Sequence, residues 1–409
     1  MKILVSAYAC EPGKGSEPGV GWNFSKELSS RHEVTVLTRK NNRGAILGSG
    51  EPWIERVKWV FIDPPRWLTF WKRGGRGVQL FYVLWQVAAF CHVKRMLKQE
   101  TFDRIHHITF GKYWVPSFLP YTGLPVVFGP VGGGERLPPG YFRGLSWSGR
   151  LAEVGKSVFS WTVPRLPLFR GAYRRMTHVF CATEQTQRAL QKLVNCPTEV
   201  IPQSGLSAEE LELTAKIAES VQKSKTPLFV TVSRLNHWKA IDLAIMAFAD
   251  VVKQHPDARL EILGGGPELN RLKRLAGKLG LQGQVVFLGR LPTLEDVYRN
   301  IASATALIHP ALHEAFGQAC LEALALSTPV VCWNWGGPGR IVDETCGSAI
   351  AFSGSWGGDL ASMKSAMCKF CNRSEAGNEL GLAGRLRAER EFTWGELVDR
   401  IATRYSVHR

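Results

Sequence analysis

Short apolar runs, each closed by glycine, proline or a polar turn, punctuate this chain. In the first half Lys2 to Ala9, Glu33 to Thr38, His178 to Thr183 and Glu199 to Gln203 read as strands. Phe102 to Phe110 reads as a strand and turn, and the run from Pro125 as a strand that ends in Gly132-Gly133-Gly134. In the second half the strands are Leu228 to Val232, Arg259 to Leu263, Val285 to Leu288, Ala304 to Ile308 and Val330 to Trp333. Helical stretches lie between: Trp22 to Ser30, then one ending at His255, one ending at Leu279, one starting at Leu294, and one from Gly317 or Gln318 to Leu326. Strand and helix alternating in this way predict an α/β protein built of βαβ units. At 409 residues the chain is long enough for two domains. The pattern divides it into a domain over 1–205, a polar helical linker over 206–226 and a second domain over 227–391, with a closing helix in 392–409.

The richest stretch runs from His309 to Gly339. Pro310 ends a strand, Glu314 stands in the turn, and Ser327-Thr328-Pro329 stops the helix that follows. A helix start offers free N–H groups and a positive dipole end to an anion. Gly317, Gly336 and Gly337 lack side chains, which would let a ligand come close. Glu314 and Glu322 add carboxylates of the kind that grip sugar or ribose hydroxyls; on one continuous helix they would be roughly 80° apart. Upstream, Arg234 and Lys239 stand where a strand exits and a helix begins, so both can reach one diphosphate. Near the start, the glycine-rich stretch Cys10 to Gly21 follows the first strand, where open α/β sheets bind ligands. Its glycines do not match G-x-G-x-x-G, and Thr38-Arg39-Lys40 ends the second strand where an acid would be needed, so a nicotinamide dinucleotide fingerprint fails.

These motifs resemble a family. Glu314 to Glu322 is similar to the E-x7-E signature of retaining glycosyltransferases with the GT-B fold, family 4 above all, and Ser233-Arg234-Leu235 with Lys239 is similar to that family's S-R-L-x3-K-G. The resemblance implies two Rossmann-like α/β domains facing a cleft, with the C-terminal helix crossing back onto the first. It implies that Glu314 holds the donor sugar and Glu322 the nucleotide ribose, and that Ala315, Phe316, Gly317 and Gln318 meet sugar hydroxyls and diphosphate through the backbone. Arg234 and Lys239 would neutralise the leaving diphosphate. With Glu314 they are the expected catalytic set. Gly19 and Gly21 would lie against donor phosphates, and the turn at Arg290 against the nucleobase. The chain departs from the family in three places. Ala240 replaces a glycine, Arg340 stands where glutamate is common, and Gly129-Pro130 occupies the place of a histidine that contacts the reacting sugar. His106, His107, Gly133 and Glu135 are the remaining cleft candidates, with Glu135 the nearest polar substitute; adjacent on a strand, His106 and His107 face opposite ways, and a core role is expected for at least one of them. Ser6-Ala-Tyr-Ala-Cys-Glu-Pro-Gly13 and Gly129-Pro-Val-Gly-Gly-Gly-Glu135 resemble a subgroup associated with bacterial surface polysaccharide synthesis.

Composition adds a partner class. Net charge is +16 with a pI near 9.6, which calls for an anionic partner. Basic residues between Arg66 and Arg76 interleave with Trp67, Phe70 and Trp71, and Arg143, Arg150, Lys156, Arg165, Arg170, Arg174 and Arg175 surround the single acid Glu153 in 137–175. Basic and aromatic residues mixed in this way suit an anionic membrane surface. No nucleic-acid module is present, so nucleic acid is not the expected partner. The nine cysteines form no disulfide framework, and Lys2 to Ala9 reads as a strand and not a leader. A cytoplasmic protein, peripheral on the inner face of the plasma membrane, is expected. No D-x-D occurs, so neither metal nor cofactor is expected. The expected activity is transfer of a sugar from a nucleotide-sugar donor to a saccharide, lipid-linked acceptor in polysaccharide synthesis. The alternatives are an idle sugar-nucleotide-binding subunit and another enzyme of the same fold, an epimerase or phosphorylase.

Overall fold

The computed structural model describes residues 1–72, 74, 77–138, 140–141, 147–372 and 375–406. Arg73, Arg76 and Arg143, counted above among the basic residues, lie outside them. The chain forms two compact units. The first comprises Met1–Gly134, Gly155–Ser204 and Trp394–Arg409, and the second Glu135–Val154 and Gly205–Thr393.

The first unit is built on a parallel sheet of seven strands: β1 (Lys2–Ser6), β2 (Glu33–Arg39), β3 (Val57–Ile62), β4 (Arg104–His107), β5 (Val126–Val131), β6 (His178–Cys181) and β7 (Thr198–Val200), in the order β3-β2-β1-β4-β5-β6-β7. Buried apolar clusters cover both faces, as continuous hydrophobic strands require. The helix Trp394–Ala402 lies in one of them, with Trp394, Leu397, Val398 and Ile401 buried. Leu397, Val398 and Ile401 each contribute roughly 1.5–3 kcal/mol on burial. The closing helix therefore packs on the first unit, as the fold resemblance implied.

The second unit has six parallel strands: β8 (Leu228–Val232), β9 (Arg259–Leu263), β10 (Val285–Gly289), β11 (Ala306–His309), β12 (Val330–Trp333) and β13 (Gly347–Ile350), ordered β10-β9-β8-β11-β12-β13. Apolar clusters again cover both faces.

Three expectations are corrected. Residues 206–226 are not a linker. Ser207 caps the helix Ala208–Ser220 with a full capping box to Glu210, and that helix buries Thr214 and Ile217 within the second unit. Glu135–Val154 leaves the first unit for the second. The helix expected from Trp22 begins at Ser16, so Gly19 and Gly21 are helical. Pro18 is tolerated there because the first turn needs no N–H from it.

Candidate functional site

In the second sheet the chain leaves β8 toward β9 on one side and returns at β11 on the other. Ligands of open α/β sheets bind outside the carboxyl ends of strands at such a reversal. Two loops meet there. The loop after β8 carries Ser233 to Lys239 and ends at Ala240, whose φ of 49° and ψ of 38° are left-handed. Glycine takes this conformation without steric cost, so the departure at Ala240 falls on a position where glycine is the easy residue. The loop after β11 ends at Gly317, with φ 100°, and opens the helix Gln318–Ala325. Leu312 N–H donates to the Trp238 carbonyl at 2.8 Å, and the Trp238 ring stacks on His313 at 5.6 Å and 17°.

At the tips of these loops Lys239 Nζ pairs with Glu314 Oε2. His309 Nε2, buried at the end of β11, stands 3.7 Å from the same oxygen. Burial alone would raise the Glu314 carboxyl. The Lys239 ammonium, with His309 behind it, outweighs that and holds the group down at about 2. Arg234 is exposed and has no ion-pair partner among the described residues. Arg290 is exposed at the end of β10. The helix after Gly317 leaves the N–H groups of Gln318 and Ala319 without intrahelical acceptors.

Glu322 lives in different surroundings. It lies one turn into that helix, with Gln318 as its hydrogen-bonding neighbour. Burial first, and the Glu210 carboxyl second, push it up to about 8.

The glycines also have a packing role. A Cβ on Gly337 would stand 2.2 Å from the Phe316 carbonyl oxygen, one on Gly336 2.4 Å from that of Glu314, and one on Gly317 3.0 Å from Pro338 Cγ. These glycines let the loop after β12 close on the loop after β11, and Gly337 N–H donates to the Glu314 carbonyl at 2.9 Å. They serve loop packing. Gly264 and Gly266 likewise admit the carbonyls of Ser233 and Leu235. In the first unit a Cβ on Gly19 or Gly21 would meet the backbone of Lys14 or Ala9, and one on Gly133 the Trp114 ring.

The cleft reading of His106 and His107 does not hold; the core role expected for at least one of them applies to both. Both are fully buried, on opposite faces of β4. His106 engages the Tyr405 hydroxyl and the Gly129 carbonyl, the latter at 2.6 Å, and His107 engages the Tyr82 hydroxyl at 2.9 Å. Burial lowers them to about 4 and about 3, as neutral core histidines. Glu135, by contrast, belongs to the second unit, and its Cγ lies 3.6 Å from where a Cβ on Gly336 would be. It stands beside the Glu314 loop. His309 and Trp238 were not read from the sequence as site residues. Their positions, at a strand end and inside the S-R-L-x3-K spacing, were the available signal. A cavity of about 880 Å³ in this unit runs along β13, lined by Lys223, Asn334, Asp343 and Lys369 among others, and contains none of the predicted site residues.

A family model described as glycosyl transferases group 1 matches residues 214–356, the segment that carries these loops. The GDP-mannose-dependent alpha-(1-6)-phosphatidylinositol monomannoside mannosyltransferase of Mycolicibacterium smegmatis is 29% identical over 210 residues, 49% of this chain and 53% of that protein. The alpha-monoglucosyldiacylglycerol synthase of Streptococcus pneumoniae is 30% identical over 173 residues, 40% of this chain and 39% of that protein. The chain thus spans about half, or less, of the length of these curated relatives. Among solved structures, Anabaena HepE in complex with UDP superposes over 100% of both chains with a TM-score of 0.64 at 16% identity. That likeness is one of fold, the GT-B fold of two Rossmann-like domains.

Proposed function

We propose that this protein transfers a glycosyl group from a nucleotide-sugar donor to an acceptor hydroxyl. The observation that carries the proposal is the Lys239–Glu314 pair, with the exposed Arg234 on the same loop as Lys239, at the strand reversal of the unit in which the family model matches residues 214–356. Glu314, held as a carboxylate, is an acceptor for donor-sugar hydroxyls. On this reading the Lys239 and Arg234 cations and the first N–H groups of the helix Gln318–Ala325 stabilise the negative charge that grows as the nucleoside diphosphate leaves. Charge fixed in place before the reaction commonly does more than any other effect to lower the barrier to group transfer. The cations supply the charge that a bridging metal otherwise brings, so the reaction is metal-independent on this reading. Retention of anomeric configuration follows from the motif resemblance.

The acceptor on this reading is lipid-linked. One relative's name specifies a phosphatidylinositol mannoside and another's a glucosyldiacylglycerol. The helix Trp147–Thr162 presents Trp147, Leu151, Val154, Val158 and Trp161 along one stripe, each 48–74% exposed. Contiguous exposed apolar surface marks an interaction site. Trp67 and Phe70 are also exposed. No helix among the described residues is long and apolar enough to cross a membrane.

The test is a thermal-shift panel of UDP, GDP and ADP sugars on wild type and Arg234→Ala, followed by donor turnover with and without EDTA. Arg234 is exposed, so its loss leaves the ligand-free melting temperature nearly unchanged. Donor affinity is expected to fall about 10- to 100-fold, the worth of a charge-assisted contact of ~1.5–3 kcal/mol. No shift with any nucleotide sugar sinks the proposal. A shift without turnover leaves a sugar-nucleotide-binding subunit, and activity abolished by EDTA removes metal independence.

A further inference from the structure

Glu153 is the lone acid in the basic stretch 137–175, and it is buried, 9% exposed, on the helix Trp147–Thr162. One of its oxygens, Oε1, takes two imidazoles. His237 Nε2 lies 3.4 Å away and His313 Nε2 3.2 Å away. The histidines come from the two loops that meet over the reversal of the second sheet. His237 opens the single helical turn His237–Lys239. His313 directly precedes Glu314. Trp238 fills the space between them, edge-on to His237 at 4.8 Å and stacked on His313 at 5.6 Å. One carboxylate oxygen therefore clamps both loops from behind, two residues from Lys239 and one from Glu314.

Each imidazole donates only if Nε2 carries the proton, so the contact also fixes the tautomer and ring orientation. A carboxylate buried here is satisfied by donors from both loops together, which ties their separation to its position. That separation matters, because misplacement of reacting groups by about 1 Å can cost 100-fold in rate.

We propose that Glu153 is a positioning residue of the donor site, which sets the spacing of Lys239 and Glu314 through His237 and His313. The inference rests on the donor-site reading for its kinetic consequence, but its structural part can be tested without any donor. Hydrogen exchange of the ligand-free, full-length chain, read by mass spectrometry, compares wild type, Glu153→Ala and Glu153→Gln. Glutamine keeps an acceptor oxygen at the same reach. Glu153→Ala is expected to speed exchange about tenfold or more in both 233–240 and 309–317, and Glu153→Gln to restore most of the protection. Unchanged exchange in both loops, or faster exchange everywhere, overturns the proposal whether or not a donor is known. With an active donor in hand, Glu153→Ala is expected to raise the donor KM and lower kcat, each about tenfold, with Glu153→Gln near wild type. Wild-type kinetics in Glu153→Ala also overturn it. If wild type turns over no nucleotide sugar, the donor-site reading fails and the exchange result stands alone.

Discussion

Glu314 and Glu322 share a motif and have opposite chemistry. The first is an anion held at about 2 by Lys239 and His309, and the second is pushed up to about 8 by burial and Glu210. The signs of their effects on stability follow. Glu314 is depressed, so its pair stabilises the fold above the ordinary value of 4.5, and that contribution fades as pH falls toward 2. Glu322 is raised, so the folded state holds a proton that the unfolded chain releases above 4.5. The fold then loses stability from this group as pH rises toward 8, by up to about 1.4 kcal/mol per pH unit. Glu322→Gln removes the titration. Urea denaturation at pH 5, 6.5 and 8 is expected to show the variant gaining on wild type as pH rises; a constant gap would contradict the raised carboxyl. The sequence identified both glutamates but not this divergence. The groups that decide it, Lys239, His309 and Glu210, are supplied by chain segments that only the fold brings close. Glu153 was visible as a lone acid among arginines, yet nothing in the spacing pointed to its two imidazoles. His106 and His107 were legible as facing opposite ways on a strand, but not as sealed beneath Tyr405 and Tyr82.

The candidate site is made of loops packed backbone to backbone, and its glycines are where that packing is tightest. Gly337→Ala forces a Cβ to within 2.2 Å of the Phe316 carbonyl oxygen, so one loop must move. Overpacking of this kind costs about 1–3 kcal/mol. A fall in melting temperature together with a weakened nucleotide-sugar shift is the expected result; an unchanged shift would separate the loop after β12 from donor binding. The core strands were legible because strands buried on both faces read as unbroken apolar runs. The outer strands β3 and β13 were not foreseen. β13 reads Gly-Ser-Ala-Ile and is half-buried throughout, so hydrophobicity marks it weakly, whereas β3, Val57-Lys-Trp-Val-Phe-Ile62, is a plain apolar run that was passed over. The helix at Ser16 began earlier than read, because Pro18 and the glycines disguise a first turn that tolerates them.

The net charge of +16 and the exposed apolar stripe of the helix Trp147–Thr162 belong together in one prediction. The protein is expected to sediment with anionic vesicles at low salt, to be released as salt screens the charge, and to bind several-fold more weakly as Trp147→Ser/Trp161→Ser. Indifference to such vesicles would remove the membrane from the proposed function. The two-unit α/β plan was legible from alternation alone, whereas the path of the chain between units was not. Composition does not show that 135–154 and 206–226 belong to the second unit, because membership is decided by which cluster buries their side chains. That path has a consequence in time. A ribosome delivers residues 1–134 first, but one face of their sheet awaits Trp394, Leu397, Val398, Ile401 and Tyr405. Domains generally fold as their residues emerge. Here the unit begun first can only be finished last, after every residue of the other has been made.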